Sequence, residues 1–341
     1  MKILSDFSLK ELEKELATFP RFRAKQVFDA ILQAKDYAEI KLPKAMIDTL
    51  KESYVLKPVE IYKTLTSKDG TKKYLLKLTD NNIIECVFLK QDYGNTICMS
   101  TQVGCRMGCK FCASTLGGLI RNLSAGEMLS TIAVVNADNG SCTSRNFTNI
   151  VLMGSGEPFD NYDNVVNWLE LITAESSFNL SERNISISTC GLVNKIDEFS
   201  KLNHNITLCL SLHATTDENR KQIMPIANRY SIDEVMNALK RYVKENSRRV
   251  VLEYCLIKDV NNTDEDVARL KNLTRGLKCH INVICLNPNG GSLKATTKTE
   301  AHQFVAKLNE AGLSATLRRS QGSDIEGACG MLRAKTLKQH K

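Results

Sequence analysis

Beyond residue 95 the chain alternates between short β-branched or aliphatic runs and longer stretches of helical periodicity, and this limits the fold more than any other feature. The runs TICMST (96–101), TNIVLM (148–153), NISIS (184–188), ITLCLSL (206–212), VVLEYCL (250–256), HINVICL (280–286) and LSATLR (313–318) read as strands. Between them SAGEMLSTIAVVNA, DNVVNWLELITA, IDEVMNALKRYVKEN and EDVARLKNL read as helices. Alternating strand and helix build parallel β/α units, because parallel neighbours need a crossover that is usually helical. Six or seven strands are too few to close an eight-stranded barrel. The expected fold is α/β, a partial (β/α)6 barrel left open, over residues 93–332.

The earlier segment reads differently. Ser8 caps LKELEKELATF, RFRAKQVFDAILQA follows, and Pro43 precedes KAMIDTLKESY, which together predict a helical accessory module over residues 1–65. Its charge is nearly balanced; Arg21, Phe22, Arg23 and Lys25 are its one candidate phosphate contact, and they read equally as a solvated helix face. Residues 66–92 hold KYLLKL, the turn TDNN and IIECVFL, which predict a connecting β-hairpin. In the second run, period-2 alternation puts Ile83, Glu85, Val87 and Leu89 on one face. An acid in an apolar row is either an edge-strand charge that blocks aggregation or a buried functional carboxylate.

Hydrophobic residues make up 43% of the 341, enough to bury a sizeable core and to exclude disorder. The net charge of +8 mildly favours a polyanionic partner. The N-terminus lacks the apolar run of a secretory signal, and no stretch is long and apolar enough to span a bilayer. The expected compartment is therefore the cytoplasm, where the 12 cysteines stay reduced and a cluster of them reads as metal or redox chemistry.

Chemistry in α/β barrels gathers where strands end. Here those ends read Gly154, Ser155, Gly156 and Glu157 after the second strand, Ser188 after the third, Ser211, Leu212 and His213 after the fourth, and Asn287 after the sixth. After the first comes CRMGCKFCASTLGG, with Cys105, Cys109 and Cys112. Three thiols this close suit either a zinc site or an iron–sulfur cluster. Structural zinc takes four protein ligands, often in two short pairs. Cys98 and Cys142, the nearest cysteines, form no such pair, and none of the five histidines is paired by spacing. Three thiolates on a four-iron cluster leave one iron open to a small chelating cofactor. Spacing alone admits both and favours the cluster.

The CxxxCxxC loop after the first strand and the GxGE turn after the second resemble the radical S-adenosylmethionine superfamily. TICMSTQVGCRMGCKFCASTLGGLIRNLSAGE, NIVLMGSGEPFDNYDNV, ISISTCGLV, LSLHATTDENRKQIMPIANRY and GSDIEGACGML, in this order, resemble the radical enzymes that methylate carbon 2 of adenine in 23S rRNA and tRNA. The likeness runs over roughly residues 84–332. It implies a 4Fe-4S cluster on Cys105, Cys109 and Cys112, with S-adenosylmethionine (SAM) on the open iron. It further implies SAM contacts from Gly156, Glu157, Ser188, Ser211, Leu212, His213 and Asn287, with Phe111 packed beside cluster or adenine. For His213 a satisfied structural histidine is the alternative.

The same resemblance implies the catalytic set. Cys329 is methylated by one SAM, and a second SAM supplies the radical that turns this methyl into the group added to the base. Cys98 then attacks the sulfur of Cys329 to release product and leave a disulfide, and Glu85 takes the proton from carbon 2. The implied partners are 23S rRNA, tRNA and an electron donor such as flavodoxin or ferredoxin, with the protein a monomer away from membranes. The other cysteines read as small buried hydrophobes. Ser155 and Phe159 stand where Met and Leu are frequent in the family, and Gly327 and Met331 where Ala and Gln are usual; the second pair flanks Cys329. A sister group that methylates carbon 8 uses the same cysteines, and the GEPFDN run fits the carbon-2 branch. A non-catalytic, zinc-stabilised RNA-binding protein would explain the charge and the triplet, but not Cys98 and Cys329 at matching places. The basic tail 333–341 is a candidate phosphate contact.

Overall fold

A computed structural model of the protein describes residues 1–140, 142–287, 292–325 and 327. Cys329, Met331 and the basic tail 333–341 lie outside the described residues.

The N-terminal module pairs β1 (Lys2–Ile3) with β2 (Tyr54–Val55) and packs α1 (Leu9–Glu15), α2 (Arg21–Leu32) and α3 (Lys44–Ser53) around Leu4, Leu12, Val27, Phe28 and Leu50. Ser8 and Glu11 form a reciprocal capping box that starts α1. Pro20 and Pro43 stand immediately before α2 and α3, where a proline costs no helical hydrogen bond.

A meander of β3 (Val59–Thr66), β4 (Lys72–Leu78) and β5 (Ile83–Leu89) follows, antiparallel throughout. Strand β3 falls largely inside the stretch expected to be helical module, so three strands stand where a hairpin was expected. The meander is no separate connector either: β5 pairs antiparallel with β6 (Thr96–Met99) and continues into the main sheet.

After β6 the chain forms a small antiparallel ribbon, β7 (Gln102–Gly104) and β8 (Leu119–Asn122), and then the repeating units. These are α4 (Ala125–Asp138), β9 (Asn149–Leu152), α5 (Tyr162–Thr173), β10 (Ile185–Thr189), α6 (Val193–Ser200), β11 (Thr207–Ser211), α7 (Asp217–Ile223), α8 (Ile232–Asn246), β12 (Val250–Leu256), α9 (Asp264–Leu273), β13 (Cys279–Cys285), α10 (Lys298–Glu310) and β14 (Ala315–Leu317). The ten strands run in the order β14-β13-β12-β11-β10-β9-β6-β5-β4-β3, parallel from β6 to β14. All seven parallel strands expected from the sequence are present, in an α/β sheet whose edge strands β14 and β3 do not meet. The barrel therefore stays open.

Period 2 divides each strand between two environments. Leu252, Tyr254 and Leu256 of β12, Ile281 and Val283 of β13, and Ile84, Cys86 and Phe88 of β5 face the helix-covered core, while the intervening residues face inward. Each large aliphatic or aromatic side chain buried this way contributes about 1.5–3 kcal/mol. Helix α4 is buried from Ala125 to Asn136 because the N-terminal module, the meander and the barrel all pack on it. Asp6 accepts the Gly126 N–H at 2.6 Å, and Ser5 bonds Gly126 and Ser130, fixing the module to α4. Arg121 grips Glu127 through two hydrogen bonds and Asp80 through a third, pulling the Asp80 carboxyl down to about 2 and clamping the β4–β5 turn to the start of α4.

Beyond β14 the chain crosses back to the meander. Gln321 bonds Gln91 and the Lys90 carbonyl, Asp69 accepts the Gly322 N–H, and Asp324 accepts from Ser67 and from the Lys68 amide. Among the described residues no helix is long and apolar enough to cross a membrane.

Candidate active site

The sheet curls around a cavity of about 660 Å³. Its walls take Glu85 from β5, Cys98 from β6, Val151 from β9, Ser188 from β10, Ser211 from β11, Glu253 from β12, Asn282 from β13 and Leu317 from β14. A flat sheet could not bring side chains from so many strands to one space.

The cysteine loop, held by the β7/β8 ribbon, closes one end. The Cys105 N–H donates to Gly118 O at 3.0 Å, the Cys112 N–H to Cys109 O at 3.1 Å, and Thr115 Oγ1 to Cys112 O at 2.9 Å. The Lys110 N–H donates to Ile223 O at 2.9 Å, which stitches the loop to the C-terminal end of α7. Cys105 and Cys109 are buried, Cys112 is half-buried, and all three line the cavity. Burial pushes the Cys105 thiol up to about 12 and the Cys109 thiol further up, with Cys112 and Cys105 adding to the rise at Cys109. Both thiols are therefore protonated near neutral pH until a metal displaces the protons. Among the described residues no three His, Cys, Asp or Glu side chains close on a single ion. Three soft thiols facing a shared void suit a multi-iron cluster with an open position better than one tetrahedral zinc.

The turn after β9 sits against the end of β6. A Cβ on Gly154 would come within 2.6 Å of the Met99 carbonyl carbon and the Ser100 nitrogen. Gly156 has φ +112°, and a Cβ there would meet Gln102 Cβ and Thr101 Oγ1 at 2.7 Å. Only glycine fits at either position. The turn buries Glu157, whose Oε2 accepts the Cys190 N–H at 2.7 Å and whose Oε1 accepts the Phe159 N–H at 3.0 Å. Burial raises the pKa of Glu157, and these amides oppose the rise. Glu157 also lines the cavity, where its carboxylate can meet a cationic ligand group.

Ser188 and Ser211 place their hydroxyls 3.4 Å apart on the wall, and Asn287 lies on it too. His213 adopts φ 54°; its Nδ1 accepts the Cys255 N–H at 2.9 Å, so Nε2 carries the ring proton. Burial, helped by the positive charge of Arg220, lowers its pKa to about 3. The imidazole is neutral and anchored, as the structural alternative anticipates, yet it borders the cavity. Phe111 meets it edge-on, ring centroids 4.5 Å apart. Leu212 differs from the others: its side chain belongs to the hydrophobic core, and it is not among the residues that line the cavity.

Glu85, Val87 and Leu89 face the cavity together, as the alternation predicts. β5 lies between β4 and β6, so Glu85 is no edge-strand charge; it is buried in the interior of the sheet. Cys98 stands opposite Val87 in the β5/β6 register and faces the same cavity as Glu85. Cys86 and Cys209 are buried small hydrophobes as expected, whereas Cys190, Cys255 and Cys285 border the cavity.

Sequence reasoning missed Glu253. Asn282 Nδ2 reaches both of its carboxylate oxygens, at 3.1 and 3.0 Å, and Arg318 Nη1 lies 3.8 Å away. Burial raises its pKa, and Arg318 opposes that. The signal that marks Glu85, an acid within an apolar strand, is present in VVLEYCL as well.

The radical SAM superfamily description matches residues 99–270. A Clostridium perfringens protein named probable dual-specificity RNA methyltransferase RlmN is 47% identical, the alignment covering 99% of this chain and 98% of that protein. A Clostridium botulinum protein of the same name is 45% identical, with coverage of 99% and 98%. The crystal structure of a radical SAM methyltransferase from Sphaerobacter thermophilus superposes with a TM-score of 0.93 at 39% identity, covering 98% of this chain and all of that one.

Proposed function

Because this chain belongs to the radical SAM superfamily and, within it, to the dual-specificity RNA methyltransferase RlmN family, we propose that it methylates carbon 2 of adenosine in 23S rRNA and tRNA. The observation that carries this reading is that Glu85 and Cys98 face the same cavity as Cys105, Cys109 and Cys112. Carbon 2 of adenine has no nucleophilic lone pair, so a sulfonium methyl cannot reach it by simple displacement.

Cys105, Cys109 and Cys112 would hold a 4Fe-4S cluster, and Gly156, Glu157, Ser188, Ser211, the Leu212 backbone, His213 and Asn287 would hold SAM. Cluster and SAM together supply an electron and a 5′-deoxyadenosyl radical when bound. The residues of the chain do the remainder. Cys329 carries the methyl group to the base. Glu85, buried in the sheet and facing the cavity, accepts the proton from carbon 2. Cys98, as its thiolate, bonds to the Cys329 sulfur; the carbon–sulfur bond breaks with its electron pair going to the carbon on the base, which takes up a proton to become the methyl group, and a disulfide is left. A donor such as flavodoxin or ferredoxin would supply the electron and a dithiol the reduction of that disulfide.

Digestion of RNA treated with anaerobic, reconstituted enzyme should yield 2-methyladenosine. Cys329→Ala should yield none, and Cys98→Ala should hold RNA on the protein as a slow band on a denaturing gel. 8-Methyladenosine would move the chain to the carbon-8 branch, and methylation by Cys329→Ala would refute the methylcysteine route. A colourless protein binding one zinc would refute the radical chemistry.

A further inference from the structure

Arg220, on α7, is fully buried. Its Nε donates to Leu212 O at 3.1 Å, and its Nη2 donates to Cys190 O at 2.8 Å and Ser211 O at 3.2 Å. Nη1 is buried and has no hydrogen-bond partner among the described residues. One turn further on, Ile223 accepts the Lys110 N–H, and Cys109 packs in one buried cluster with Ile223 and with Cys190, whose carbonyl the guanidinium holds, so the charge is buried close to the cysteine loop without lining the cavity. A guanidinium does not shed its proton, and burying one without a counter-charge is costly. Burial pulls its pKa down; the groups opposing this are Cys190, Cys109 and then Asp217. The other arginine near the loop, Arg106, is exposed and already neutralised by Asp160 through bonds at 2.5 and 3.0 Å.

We propose that Arg220 is a positioning residue that supplies the fixed positive counter-charge of the iron–sulfur cluster and favours its reduced state. This rests on the assignment of the cluster to Cys105, Cys109 and Cys112. Thiolates around the iron core carry net negative charge, which grows on reduction, and a positive charge buried close by is little screened. Removing it disfavours the added electron.

The test is spectroelectrochemical titration of the reconstituted protein, read by cluster absorbance and electron paramagnetic resonance, with iron and sulfide analysis and without RNA. Arg220→Met and Arg220→Gln should shift the reduced-to-oxidised ratio at least tenfold toward oxidised at fixed potential, about 59 mV for one electron. Arg220→Lys should stay within threefold of wild type, and Arg106→Gln should shift little. Loss of cluster from the neutral variants, with Arg220→Lys loaded, also supports the counter-charge. Loaded neutral variants with unmoved potential overturn it, as does a loaded Arg220→Lys that shifts as far as Arg220→Met, which would make the backbone bonds the whole role. Should the neutral variants fail to fold, Arg220→Lys is read against wild type alone: a loaded lysine variant within threefold supports the counter-charge, and one shifted tenfold or more overturns it. A wild type without iron and sulfide fails the cluster assignment itself.

Discussion

Asn261 offers the most quantitative test of how the cavity wall is built. It is fully buried and saturates three backbone groups with one amide: its Oδ1 accepts the Ile257 N–H at 2.7 Å, and its Nδ2 donates to His213 O at 2.8 Å and Cys255 O at 2.7 Å. Asn261→Ala removes all three bonds. An orphaned buried polar group costs about 1–3 kcal/mol, and water entering the vacated space recovers part of that. The expected loss is about 3–6 kcal/mol, a large share of a typical stability of about 5–15 kcal/mol. Urea unfolding of the anaerobic protein, followed by circular dichroism, should show the midpoint falling by about 1–2 M for a slope near 3 kcal/mol/M. Asn261→Asp keeps the acceptor but sets a carboxylate against two carbonyls. Burial would raise that carboxyl above its unfolded value, so this variant should gain stability as pH falls. A loss under about 1 kcal/mol for Asn261→Ala, or an Asp variant that weakens on acidification relative to Ala, would refute the accounting.

Two further perturbations probe the rim. Gly154→Ala forces a methyl against the backbone of Met99 and Ser100, which cannot move without shifting Cys98; it should cost about 1–3 kcal/mol in thermal unfolding and weaken SAM binding by calorimetry. His213 is held neutral, with its folded pKa near 3 lying below the unfolded value of about 6.5. Its contribution to stability is therefore complete above about pH 6.5 and lost as pH falls toward 3, and His213→Gln should flatten the wild-type decline in urea midpoint between about pH 7.5 and 4.5.

The parallel strands were legible because their β-branched runs are buried on both faces, and the helices because caps and periodicity agree. Ser8, Ser124 and Ser231 each form the capping box that their residue spacing encodes. β3 was not legible. VEIYKTLT is mostly exposed at the sheet edge, and its strand state rests on pairing with β4 and on cover from α4. The loop cysteines, the glycine turn and the Glu85 row carry local signals. Glu253 carries one too, but its pairing with Asn282 and Arg318 joins residues from three separate strands or their ends.

By itself the sequence determined the α/β class, the positions of the parallel strands and the gathering of three thiols in one loop, since spacing, period and capping act over a few residues. The tertiary structure alone decided which groups share a space and which charges lose their water. Glu85 is an interior acid because β6 covers what could have been an edge. Arg220 is an ordinary helical arginine in the sequence. It becomes a buried charge only where α7 packs against the cysteine loop, because desolvation depends on every neighbour and on no single one.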